Sequence, residues 1–176
     1  MKTIKFLMLF ALIANTAWAQ AYKMAIRPID ENELIYVEEK TNARTNRPLL
    51  KLDGTPHPGW QTFGFKGIGG YDPLYRAIKE VLTTQQIAVL AIKGEMLDIV
   101  SIFDLNGKVT EVCFRFYQEN YNEVTKVITL DQFYQIAQKV KQYLKFTITE
   151  PPQDLDVQWL GGAAFIYFDK VRDWRP

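Results

Sequence analysis

The 176-residue sequence holds a single cysteine and a single histidine. One cysteine makes no internal disulfide, so the fold has to be held by burial alone. Zinc sites draw on several His, Cys or carboxylate ligands at close spacing, and His57 has no second His or Cys near it in the sequence. No metal ligand set and no cofactor motif is therefore assigned. His57 and Cys113 are the only His and Cys available to a nucleophile-and-base pair, but Cys113 lies between Val112 and Phe114 in an apolar run, which favours a packed, inert thiol. An excess of one charge is also missing. Twenty-one basic residues stand against 20 acidic ones, interspersed, so the cationic face that nucleic acid demands is not expected. Lys139, Lys141 and Lys145 fall late in a predicted helix, where cations complement the dipole. The glycines at 64, 67, 69 and 70 precede a helix, but neither dinucleotide nor P-loop spacing is present. Asp72 would also set a negative charge where a phosphate should sit. No catalytic residue is assigned.

The N-terminus has the three parts of a secretory leader: Lys2 and Lys5, the apolar stretch Phe6–Ala14, and Ala17-Trp18-Ala19 as an A-x-A cleavage site. Its apolar stretch is shorter than the roughly 20 residues a bilayer span needs. Cleavage after Ala19 is expected, leaving residues 20–176 as a single α+β domain. No later apolar segment is long enough to hold the chain in a membrane, and no cysteine stands where a lipid would be attached. The expected location is the periplasm or the cell exterior.

Glu33–Val37 reads as a strand, followed by a polar loop over Glu38–Pro48. Asp72 is a good N-cap and Pro73 suits a first helical position, so a helix is expected from there to about Thr84, burying Leu74, Ala77, Ile78, Val81 and Leu82. The continuous apolar run Ile87–Ile92 reads as a buried strand. Met96–Phe103 and Val109–Tyr117 form a hairpin across Asp104-Leu105-Asn106-Gly107-Lys108. Pairing outward sets Phe103 against Thr110, Ser101 against Val112, Ile99 against Phe114 and Leu97 against Phe116. Gln118–Lys126 reads as a polar connection. Thr129 and Gln132 then make a capping box, with Ile128 and Phe133 as a hydrophobic staple, for a helix whose stripe is Leu130, Phe133, Ala137, Val140 and Leu144. Phe146–Thr149 adds a strand, and Val157–Leu160 is expected to pair with Ala163–Phe168 across Gly161-Gly162. The expected fold is an antiparallel β-sheet with two α-helices packed on one face.

The order strand, Asp104-Leu105-Asn106-Gly107-Lys108-Val109, strand, then an amphipathic helix running into Leu144-Lys145-Phe146, resembles the C-terminal domain of TonB-type energy transducers. The resemblance covers residues 72–149. It implies a related core and an edge strand used for partner binding. It does not imply energy transduction, because the chain has no Pro-rich span and is expected to lose its apolar N-terminus.

Trp60, Phe63, Phe65 and Tyr71 are the candidate ligand-binding residues, an aromatic platform for a peptide or a sugar ring. Alternation of Phe63 and Phe65 equally suits a strand that packs inward. Asp98, Asp104 and Glu111 raise the possibility of carboxylate chemistry, although Asp104 fits a turn and the others fit solvated charges. The preferred function is a non-enzymatic binding or assembly protein of the bacterial envelope, with an envelope protein or a glycan as partner. The alternatives are a carboxylate-dependent glycoside hydrolase and an inhibitor of secreted peptidases that presents Pro56-His57-Pro58. Oligomeric state is left open.

Overall fold

A computed structural model describes residues 23–29, 34–45, 47–57, 64–149 and 155–176. The leader Met1–Ala19, Trp60 and Phe63 lie outside the described residues. In chain order the elements are β1 (Met24–Ile29), β2 (Leu34–Glu39), β3 (Phe65–Gly67), α1 (Asp72–Lys79), α2 (Thr84–Ile92), β4 (Met96–Phe103), β5 (Val109–Tyr117), α3 (Gln118–Thr125), α4 (Leu130–Tyr143), β6 (Phe146–Ile148), β7 (Leu160–Tyr167) and α5 (Phe168–Asp173). The five-stranded sheet runs β1-β2-β5-β4-β7, and β3 with β6 forms a separate two-stranded ribbon. Every pairing in both sheets is antiparallel. The expected α+β class is the one observed, with five helices among the described residues where two were expected.

The β4–β5 hairpin sets the register of the rest. Ser101 faces Val112 and Ile99 faces Phe114, as alternation from the turn requires. Phe103, however, pairs with Val109 and not with Thr110, because the register shifts after Ile102. The turn explains the shift: Asp104 Oδ1 accepts the N–H groups of Asn106 and Lys108, and Gly107 closes the turn at φ 77°. A left-handed residue at this point is what a bulged hairpin loop uses. A Cβ on Gly107 would lie 1.8 Å from the Phe146 carbonyl oxygen, so β6 also relies on this glycine.

The core lies between one sheet face and the helices. Phe133, Ile136, Ala137 and Val140 of α4 are buried, with Phe133 4.9 Å from Phe114 and 5.7 Å from Phe116, centre to centre. The capping box at Thr129 and Gln132 forms as expected, and Ile128 and Phe133 are both buried. α1 packs on α4, and α2 packs on α5.

Four local expectations are corrected. Ile87–Ile92 is helical, because Thr83 and Gln86 make a second capping box that starts α2. α1 accordingly ends at Lys79, short of Thr84, and its N-cap is Tyr71, with Asp72 in the first turn. The polar segment after β5 is α3, whose one buried residue is Val124. Gly161-Gly162 is not a turn: both glycines lie inside β7, which pairs with β4 along its whole length. Close packing accounts for them, since a Cβ on Gly161 would approach Ile102 Cδ1 to 3.3 Å and one on Gly162 would approach Phe65 Cε2 to 3.0 Å.

Candidate functional site

The two edges of the large sheet differ in sequence. β1, Met-Ala-Ile-Arg-Pro-Ile, carries Arg27 and Pro28. A charge and a residue without an N–H are the usual means by which an edge is kept from pairing with another chain. β7, Leu-Gly-Gly-Ala-Ala-Phe-Ile-Tyr, is eight residues long and has neither. It packs mainly on β4 and α5, with Phe65 of β3 over Gly162. Among the described residues its backbone makes no hydrogen bond to a segment other than β4.

Alternation divides β7 between two faces. Gly162 lies beneath Phe65, and Ile166 is buried. Gly161, Ala163, Phe165 and Tyr167 take the other face and are exposed, Phe165 at 49% and Tyr167 at 51%. Register places Phe165 at the end of a row that crosses all five strands: Arg27, Tyr36, Arg115, Asp98, Phe165. Arg115 Nε meets Asp98 Oδ2 at 2.6 Å. Burial raises the Asp98 pKa, and the guanidinium of Arg115 opposes that rise. Asp98 Oδ1 is buried without a hydrogen-bond partner among the described residues. Tyr117, on the same face, is also exposed. The open side of the sheet thus presents aromatic rings beside a largely sequestered ion pair, next to a backbone edge that is unpaired among the described residues.

The residues singled out from sequence fall elsewhere. Phe65 is on β3, edge-on to Phe103 at 5.1 Å and to Phe146 at 5.5 Å. Its ring caps the core and lies over Gly162 of β7. Tyr71 is half exposed at the start of α1, stacked on Tyr75 at 5.9 Å. Trp60 and Phe63 cannot be placed beside them, being outside the described residues. Cys113 is fully buried on the central strand β5, and burial pushes its thiol pKa well up.

Each of the three candidate carboxylates has a structural partner. Asp98 binds Arg115, and Asp104 closes its own turn. Glu111 receives the N–H groups of Ala43, Arg44 and Thr45 and the Thr45 hydroxyl, fixing that loop to β5. An open groove of about 930 Å³ is lined by α1, the end of α4 and the C-terminal residues. Its polar groups satisfy one another: Glu80 is bound by Lys139, Tyr143 and Arg76, Trp174 donates to Asp72, and Lys79 donates to the Trp174 carbonyl. That arrangement clasps α1, α4 and the C-terminal residues together. No cluster of three His, Cys, Asp or Glu able to hold a metal forms among the described residues.

Gly161-Gly162, which reads as a turn in the sequence, conceals a continuous edge strand. The available signal was the absence of any charged residue or proline from Leu160 to Tyr167. No helix among the described residues is long and apolar enough to cross a membrane. The sequence matches no family model and no curated protein. Among solved structures, the chain is similar to a DUF5043 family protein from Bacteroides uniformis ATCC 8492, with a TM-score of 0.56 at 18% identity over 82% of this chain and 92% of that one, and the two share a fold.

Proposed function

We propose that this chain is an exported, non-enzymatic binding or assembly protein of the bacterial envelope, which works by accepting an extended segment along the outer edge of β7, an edge without a backbone partner among the described residues. The observation that carries the reading is the contrast between edges: β7 is uncharged and free of proline over eight residues, whereas β1 carries Arg27 and Pro28. An unblocked edge supplies main-chain hydrogen bonds to an added strand, and alternate side chains supply selectivity. Phe165 and Tyr167 are the side chains on the open face that an added strand would touch. The same mode of partner binding is what the resemblance to TonB-type C-terminal domains implies. Export is supported by Lys2, Lys5, the apolar Phe6–Ala14 and Ala17-Trp18-Ala19.

The test uses the chain without Met1–Ala19 and a panel of extended eight-residue peptides, read by amide hydrogen exchange. Binding is expected to slow exchange within Leu160–Tyr167 and to be lost when Ala163 and Phe165 are both changed to Lys. Binding that survives those changes, or protection that falls elsewhere, removes the reading. Mass spectrometry of the native product should show a chain that begins at Gln20.

A further inference from the structure

Side-chain size along β7 is graded. Gly161, Gly162, Ala163 and Ala164 come first, then Phe165, Ile166 and Tyr167. We propose that the strand seated on this edge is β7 of a second copy, antiparallel to the first, with the two-fold axis at Ala164. The proposal rests on β7 being a strand acceptor and names its occupant.

The argument is one of fit. A two-fold interface is isologous, so each residue of one copy meets its counterpart reflected through the axis. About Ala164 that operation sets Phe165 opposite Ala163, Ile166 opposite Gly162 and Tyr167 opposite Gly161. Directly opposed side chains in an antiparallel pair are about 4.5–5.5 Å apart at Cβ, so on the open face Phe165 and Tyr167 lie beside the small Ala163 and Gly161, while on the core face Gly162 is already covered by Phe65 and Ile166 stays in its own core. Covering an edge glycine with an aromatic ring is a known way to stabilise and register a strand. A two-fold axis that left the strands parallel would run along them and turn one sheet over, setting the open face of one copy beside the helix-covered face of the other. The faces agree as well: Phe165 and Tyr167 cover Ala163 and Gly161 on the open side, where all four are exposed. Neither copy brings a charge to the seam, so the pairing meets no like-charge repulsion there. The product is a sheet continuous through both subunits, ending on each side at β1 with its Arg27 and Pro28.

The experiment combines sedimentation with cross-linking of the chain lacking Met1–Ala19. A concentration-dependent dimer is expected, with Phe165→Lys raising its dissociation constant at least about tenfold. Ala163→Lys should do the same and serves as the second variant if the first fails to fold. Opposed Cα atoms in an antiparallel pair are about 4.5–5.5 Å apart, within disulfide range. Ala164→Cys is therefore expected to give a covalent dimer on mild oxidation, and Ile26→Cys, on the β1 edge, to give none. A dimer indifferent to both lysines, or cross-linking equally through Ile26→Cys, overturns the proposal. So does a chain that stays monomeric at every concentration. Such a monomer that still protects Leu160–Tyr167 on binding extended peptides leaves the strand-acceptor reading standing, and one that binds none removes both.

Discussion

Glu111 sits on the central strand with its carboxylate turned to a loop more than sixty residues earlier in the chain, where three successive amides converge on it. Hydrogen bonds to a charged group contribute about 1.5–3 kcal/mol each when a partner is removed, and a vacated loop loses its anchor as well. Glu111→Ala is expected to lower stability by about 2–3 kcal/mol in urea unfolding, with amide exchange quickening first at Ala43–Thr45. Nothing local announces this role. Asp104, whose partners lie two and four residues away, was legible as turn chemistry, whereas the partners of Glu111 come from folding alone. Glu80 is another residue with a measurable signature. Hydrogen bonds from Lys139, then Tyr143 and Arg76, hold its pKa at about 2 against an ordinary 4.5. A depressed carboxylate stabilises the folded state above its unfolded pKa, and that contribution fades as pH falls through its folded one. The clasp between α1 and α4 should therefore loosen between about pH 4.5 and 2. Glu80→Gln should flatten the melting temperature over that interval, and an unchanged acid profile would count against the clasp.

The two capping boxes are joined to each other. Gln86 Nε2 donates to Gln132 Oε1 at 3.1 Å and Gln132 Nε2 returns a bond to Gln86 Oε1 at 3.2 Å, so the starts of α2 and α4 are locked by a reciprocal amide pair. Gln86 Nε2 also reaches the Val127 carbonyl. Thr83→Ala and Thr129→Ala should each cost about 1 kcal/mol as lost caps. Gln86→Ala with Gln132→Ala should be non-additive by about 0.5 kcal/mol or more in a double-mutant cycle, and strict additivity would dissolve the link. Only one of the boxes was recognised in the sequence. Thr129-x-x-Gln132 precedes residues at helical spacing, whereas Thr83-x-x-Gln86 precedes the unbroken apolar run Ile87–Ile92, whose period does not distinguish helix from strand. The hairpin β4–β5 was legible because turn and alternation agree over both strands. β7 was not, because the rule that Gly-Gly makes a turn is local, and the contacts that require glycine there, with Ile102 and Phe65, are tertiary.

At the scale of the whole molecule, the sheet is built from the inside outward: β4 and β5 are neighbours in sequence, while β1, β2 and β7 reach them from distant parts of the chain. Peripheral strands should open at lower free energy than the central pair, and amide exchange in β1 should therefore be faster than in β5. The candidate site follows from this layout, since which strand becomes an edge is decided by topology and cannot be read from eight residues taken alone. Gly107→Ala should weaken the central hairpin and β6 together, by more than about 1 kcal/mol, through strain at a left-handed position and the encounter with Phe146. The same layout equips the molecule with a clock. Cys113 is enclosed at the middle of the central strand, so a thiol-reactive dye at a concentration where its reaction outpaces refolding will colour the protein only as fast as the strand opens, and that rate gives the lifetime of the native state without any residue being introduced.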